Sequence, residues 1–149
     1  MLMHDKYYMN LALEQAKIAA LKDEVPVGAV LVDEFGKIIV KTHNLIKTLN
    51  DSTAHAEMLA IREGEKFFGT KLKGTSLFVN MEPCPMCAGA MVLARISRLI
   101  YAMPSPYGGA ESLFNITNNS SLNHQIDITA GCLEEYAKLL IKKFFVEKR

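Results

Sequence analysis

Two short segments constrain this chain more than anything else in it: His55-Ala56-Glu57 and Pro83-Cys84-Pro85-Met86-Cys87. Between them they carry an imidazole, two thiols and a carboxylate. Imidazole and thiolate are the ligands that zinc takes in tetrahedral geometry. His55, Cys84 and Cys87 make three protein ligands, which leaves a fourth position open for water. That is the pattern of a catalytic site rather than a closed structural one. Either segment alone is weak, since a lone histidine is usually structural. A lone C-x-x-C pair is also compatible with redox chemistry or half a zinc ribbon. A zinc-stabilised interaction module would need a fourth ligand, and the sequence offers only three obvious ones. Glu57 is too close to His55 and too hard a donor to be that ligand. Its expected task is to take a proton from the attacking water and pass it on.

The third cysteine, Cys132, has no partner in the sequence and reads as a small buried hydrophobe. Three cysteines at uneven spacing are a poor disulfide framework. The start, Met1-Leu2-Met3-His4-Asp5-Lys6, has no apolar core of signal-peptide length. No apolar run reaches the roughly 20 residues that span a bilayer. These features predict a cytoplasmic protein without a membrane partner. Its 149 residues suit one domain, 1–149. The net charge of +1 is low for a broad nucleic-acid footprint. RNA binding would therefore need a local patch, with Arg95, Arg98, Lys138, Lys142, Lys143, Lys148 and Arg149 as candidates; otherwise the substrate is small.

Periodicity orders the elements. Apolar residues at Met9, Ala12, Leu13, Ala16, Ala19 and Ala20 predict a helix from Lys6 to Lys22, with Asp5 as its cap. Val25 to Val32 is nearly all apolar and predicts a buried strand, and Lys37 to His43 a hairpin partner. Asp51, Ser52 and Thr53 offer caps for a helix reaching about Phe67. Strands are expected at Ser76 to Asn80 and Leu99 to Ala102. The intervening helix, opened by Pro83 and Pro85 and reaching about Arg95, makes them parallel. Met103 to Asn123 reads as irregular. A short strand at Ile126 to Ile128 precedes a last helix with Leu133, Tyr136, Ala137, Leu140 and Phe144 on its apolar face. The sum is a three-layer α/β/α domain around a mixed central sheet of about five strands.

The combined pattern His-x-Glu with Pro-Cys-x-x-Cys is the zinc deaminase signature. The chain resembles the bacterial tRNA-specific adenosine deaminases of the cytidine deaminase superfamily nearly end to end. Glu24 to Val32 looks like that family's first strand. Asp51 to Glu57 looks like its first motif, with Ser52 for the usual proline. Met81 to Ala90 is similar to its second motif and is the most specific stretch. His124 to Thr129 and Lys143-Phe144-Phe145 resemble its C-terminal portion.

The resemblance implies a cytidine-deaminase-like fold, one Zn2+ per chain, and a homodimer whose RNA site is built by both subunits. It implies hydrolysis of the wobble adenosine in a tRNA anticodon loop to inosine, with ammonia released. It assigns Asn44 to the flipped purine, Val27 and Ala56 to the base pocket, and Phe144 to the flanking nucleotides; core packing is the competing role for Phe144. One stretch departs from the family. Ser105 stands where an acidic residue is usual and Tyr107 where a lysine is usual, in a loop that touches ribose and RNA backbone in the family. Tyr107 could stack on a base instead. The departure, with the near-neutral charge, keeps open a second substrate class, a free base or nucleoside such as guanine or cytosine.

Overall fold

The computed structural model describes residues 1–106, 108, 109, 111, 112 and 114–148. In chain order the elements are α1 (Asp5–Leu21), β1 (Gly28–Val32), β2 (Ile38–His43), α2 (Ala56–Phe68), β3 (Ser76–Met81), α3 (Pro85–Leu93), β4 (Arg98–Met103), β5 (Asp127–Ala130) and α4 (Glu134–Glu147). The strands form one mixed sheet in the order β2-β1-β3-β4-β5. β1 runs antiparallel to both β2 and β3, while β3, β4 and β5 are parallel. The helical crossover through α3 is what lets β3 and β4 run parallel.

The alternation of strand side chains divides the core in two. Ala29, Leu31, Leu77, Val79 and Leu99 point to the face covered by α2 and α3. Val30, Val32, Phe78, Ile100 and Ala102 point to the face covered by α1 and α4. Both faces are buried, so the central strands are mostly apolar, and the expected three-layer α/β/α architecture is observed. Cys132 is fully buried on the α1/α4 side, as expected of a small hydrophobe.

Close packing of α1 on β1 depends on Gly28. A Cβ there would collide with the backbone of Ala12 and Ala16. The same residue is pinned by buried Asn80, whose Oδ1 accepts from the Gly28 amide at 2.8 Å and whose Nδ2 donates to the Pro26 carbonyl at 2.9 Å. These bonds explain why β1 begins at Gly28 rather than Val25. Val25 and Pro26 form a turn closed by the Val27 amide on the Val25 carbonyl, and Pro26 has no amide to give a ladder.

Helix starts differ from expectation in an instructive way. Asp5 is not a cap. It lies inside α1, where its Oδ2 accepts from the Leu2 amide and both carboxylate oxygens pair with Arg98. Nor do Asp51, Ser52 or Thr53 cap α2. Asp51 bonds the amide and hydroxyl of Thr53 in a local turn, and the helix begins at Ala56. On α4, Tyr136 is exposed and Ile141 takes the buried place. The fifth strand is displaced to Asp127–Ala130.

The Asp5–Arg98 pair ties the start of α1 to β4, with Asp5 almost fully buried and Arg98 also reaching Thr129. Burial works to raise the Asp5 carboxyl, but the bonds from Arg98 and Leu2 hold it below its ordinary value. Its contribution to stability is therefore complete above about pH 4 and is lost as the pH falls through the lower folded value. Replacing Arg98 by Met leaves a buried carboxylate without its partner. The expected loss is about 3 kcal/mol, read as a fall in the urea midpoint at neutral pH.

Candidate active site

The site lies where β2, β3 and β4 end, the edge at which open α/β sheets bind ligands. Each of the two motifs begins a helix. His55 is the N-cap of α2 and Cys84 the N-cap of α3; both have extended backbone and neither makes a side-chain cap bond. Pro85 opens α3 with the φ a first helical turn needs. Glu57 and Cys87 follow in the first turns. The cap positions are thus occupied by side chains aimed at each other, and the positive dipole ends of both helices favour negative charge between them.

The three ligands named from the sequence converge. His55 Nδ1 lies 3.6 Å from Cys84 Sγ and 3.5 Å from Cys87 Sγ. All three ligand atoms fall within 4.8 Å of one another. Zinc–nitrogen and zinc–sulfur bonds of about 2.0 and 2.3 Å at a tetrahedral angle place nitrogen and sulfur about 3.6 Å apart, so the trio fits that ion as it stands. The thiols point the same way. A hydrogen bond from Cys87, helped by His55, draws Cys84 down to about 4. The same bond, together with burial, pushes Cys87 up. Two adjacent thiols share their protons unevenly in this manner, whereas a divalent cation holds both as thiolates.

Glu57 is buried, and its Oε1 is the only buried side-chain oxygen or nitrogen among the described residues without a hydrogen-bond partner. Burial pushes its carboxyl up to about 7. An unpartnered carboxyl oxygen in a dry site, poised near neutrality, is suited to accept and return a proton.

A cavity of about 220 Å³ opens over this group, lined by Val25, Val27, Asn44, Ile46, His55, Glu57, Met81, Glu82, Cys84 and Ser105. Of the residues singled out in the sequence, Val27, Asn44 and Ser105 are therefore in the cavity wall. Asn44 is buried and its Oδ1 accepts from the Ala56 amide at 2.8 Å. Because that partner is a donor, the side-chain Nδ2 is the end left to a ligand. Ala56 is fully buried behind the wall, tied by Asn44 at its amide and by the Thr42 hydroxyl at its carbonyl. Tyr107 lies outside the described residues. Phe144 is not brought to the cavity. It lines a separate groove between α1 and α4 with Lys17, Ala20 and Leu140, and packs edge-on against Phe145. His43, beside Asn44 in sequence, turns away to bond Gln15 and Lys22.

The basic candidates divide. Arg98 is consumed by Asp5, Lys138 pairs with Glu134, and Lys148 with Asp23. Arg95 bonds Asn123. Lys142 and Lys143 stay exposed, while Arg149 is outside the described residues. Ile46 and Glu82 of the wall were given no role from the sequence, Glu82 standing there only as part of the second motif. Glu82, immediately before Pro83, is buried in the cavity wall. Its signal was a carboxylate directly after a mostly apolar strand. Replacing Cys87 by Ala removes a ligand without touching the cavity lining; atomic emission is expected to find the bound zinc lost while the far-UV spectrum keeps its α/β character.

Residues 2–103 match the cytidine and deoxycytidylate deaminase zinc-binding region. A tRNA-specific adenosine deaminase of Bacillus subtilis (strain 168) is 46% identical over 147 residues, 97% of this chain and 91% of that protein. A solved tRNA:A34 deaminase shares 40% identity and a TM-score of 0.84, covering 90% of this chain and 98% of its own. A guanine deaminase structure from Bacillus subtilis shares 37% identity over 70% of this chain and 66% of its own, with a TM-score of 0.64. With its family match running through both motifs and a relative of this identity along nearly its whole length, the chain belongs to the cytidine and deoxycytidylate deaminase family, in the group of the tRNA-specific adenosine deaminases.

Proposed function

We propose that this protein hydrolyses the wobble adenosine of a tRNA anticodon loop to inosine and releases ammonia. The observation that carries the deamination is the unpartnered Oε1 of Glu57, buried in the wall of a cavity that His55 and Cys84 also line, with Cys87 converging on them from behind that wall. The likeness to tRNA-specific adenosine deaminases along nearly the whole chain supports the substrate.

When bound by His55, Cys84 and Cys87, zinc supplies Lewis acidity that brings a water's pKa toward neutrality. Every remaining requirement falls on protein side chains. Glu57 takes the proton of the attacking water and gives it to N1 of the adenine ring as oxygen adds at C6. It then carries the second proton to the C6 amine, the C–N bond breaks, and ammonia leaves a carbonyl behind. Asn44 Nδ2 offers a donor to the purine, and its Oδ1, held by the Ala56 amide, fixes the orientation of that donor. Val27 and Ile46 supply apolar walls for the ring. The target must be out of its stack for C6 to be reached, and an anticodon loop is already single-stranded.

Exposed Phe67, Phe68, Met86 and Leu93 on α2 and α3 support a homodimer. Among the described residues no helix is long and apolar enough to cross a membrane, and a tRNA substrate supports a cytoplasmic location. The second reading, a free base such as guanine or cytosine, is favoured by Ser105 in the cavity wall where an acid is usual and by the likeness to a guanine deaminase.

Glu57→Ala is expected to keep its zinc and to form inosine in an anticodon stem-loop roughly 10²- to 10⁴-fold more slowly than the parent. Full activity in that variant sinks the mechanism. Ammonia release from guanine or cytosine, beside an inert stem-loop, sinks the tRNA substrate and leaves the mechanism standing.

A further inference from the structure

The segment that follows β4 has no helix or strand among its described residues before β5, yet it brings Ser105 into the cavity wall. What holds it is one buried side chain. Glu82 Oε1 accepts from the Ser105 amide at 3.0 Å and the Ser112 hydroxyl at 2.9 Å. Its Oε2 accepts from the Glu111 amide at 3.0 Å and the Ser112 amide at 2.6 Å. The Glu82 amide donates to the Met103 carbonyl at 2.8 Å, which fixes the carboxylate between the ends of β3 and β4. The segment is wrapped so closely that a Cβ on Gly109 would overlap Glu82 Cγ and the carboxyl carbon. Glycine is required there by that approach.

The geometry points to Glu82 as a positioning residue that sets the grip on substrate: its carboxylate gathers the amides of Ser105, Glu111 and Ser112 and so holds Ser105 in the wall of the deaminase cavity. Glu82 stands next to Pro83 in the second motif, so one short stretch of chain places both a ligand, Cys84, and the wall that faces it. A carboxylate suits the task because the segment presents donors, and an ionised carboxyl accepts from several at once with bonds stronger than a neutral acceptor makes. A second buried carboxylate does the same on the other side. Glu24 accepts from the Lys47 and Thr48 amides at 3.1 and 2.7 Å and from the Thr48 hydroxyl at 2.8 Å, behind Asn44 and Ile46. Glu82 acts on the wall alone and takes no part in the proton transfers.

The inference rests on the deamination of a tRNA loop proposed above. The test uses the zinc-loaded protein and an anticodon stem-loop with a wobble adenosine. Glu82→Gln presents an NH2 group to amides that need an acceptor. Gly109→Ala displaces the same anchor with the carboxylate intact and decides the matter if Glu82→Gln does not fold. The expected result is KM raised roughly ten- to a hundredfold with kcat and zinc content unchanged, and faster amide exchange confined to 105–112. A fall in kcat at constant KM, a loss of zinc, or unchanged exchange in the segment overturns the proposal. A parent protein that forms no inosine refutes the tRNA substrate instead, and amide exchange in the two variants then still decides whether Glu82 holds the wall.

Discussion

Everything this protein can do chemically depends on two helix N-termini being held side by side. An ordinary helix protects its first amides with a Ser, Thr, Asp or Asn cap. Here the cap positions of α2 and α3 carry His55 and Cys84, whose side chains turn toward each other. The helices forgo the stabilisation a cap provides and rely on tertiary burial. Ala56, Ala60 and Ile61 on α2, and Met91 and Val92 on α3, pack against the sheet through the same cluster as Leu31, Leu77 and Val79. Metal binding adds to this, because a site that exists only in the folded state couples ligand binding to folding.

The sheet turns that local arrangement into a cavity. β2, β3 and β4 all end at one edge, because β1 is antiparallel to the first two and the crossover through α3 makes the third parallel. The segments leaving those ends bring Asn44, Cys84 and Ser105 to one place. Asn80 secures the turn that leads into β1, and with it Val27, from beneath. The Glu57 carboxyl is dry for the same reason. Glu57 lies in the first turn of a helix whose next turns are packed on the sheet, and the surroundings that exclude water from it push it up to about 7. Low dielectric raises the cost of an unpaired polar group. An orphaned Oε1 in such a position therefore stands out as a group kept for a reaction.

Polar anchoring replaces regular structure where the chain is irregular. Glu24 and Glu82 hold the two walls by accepting from backbone amides, and Asp5 holds the start of α1 through Arg98. None of the three was assigned its place from the sequence. Asp5 looked like a cap, Glu24 like part of a strand motif, and Glu82 like a neighbour of the cysteines. The misplaced caps share one cause. Asp and Ser bond local amides in turns as readily as at helix ends, and Asp51 took the turn.

What the sequence by itself determined is the part of the protein that rests on residue type and short spacing. His55, Cys84 and Cys87 announce a soft metal site, and Glu57 stands out beside them as a carboxylate that is not one of its ligands. Apolar runs and helical periods announce a layered α/β domain, because burial on two faces leaves a continuous hydrophobic strand and burial on one leaves a stripe. The tertiary structure alone decided which residues share the cavity. Whether Asn44 faces a ligand depends on the Ala56 amide fixing its oxygen, and whether Phe144 does depends on where α4 lies against α1. Whether Arg98 is free for RNA depends on Asp5, 93 positions away in the chain. Contacts of that range follow from the order and direction of strands. No local period encodes them, because burial rewards an apolar residue equally against any partner of the right shape.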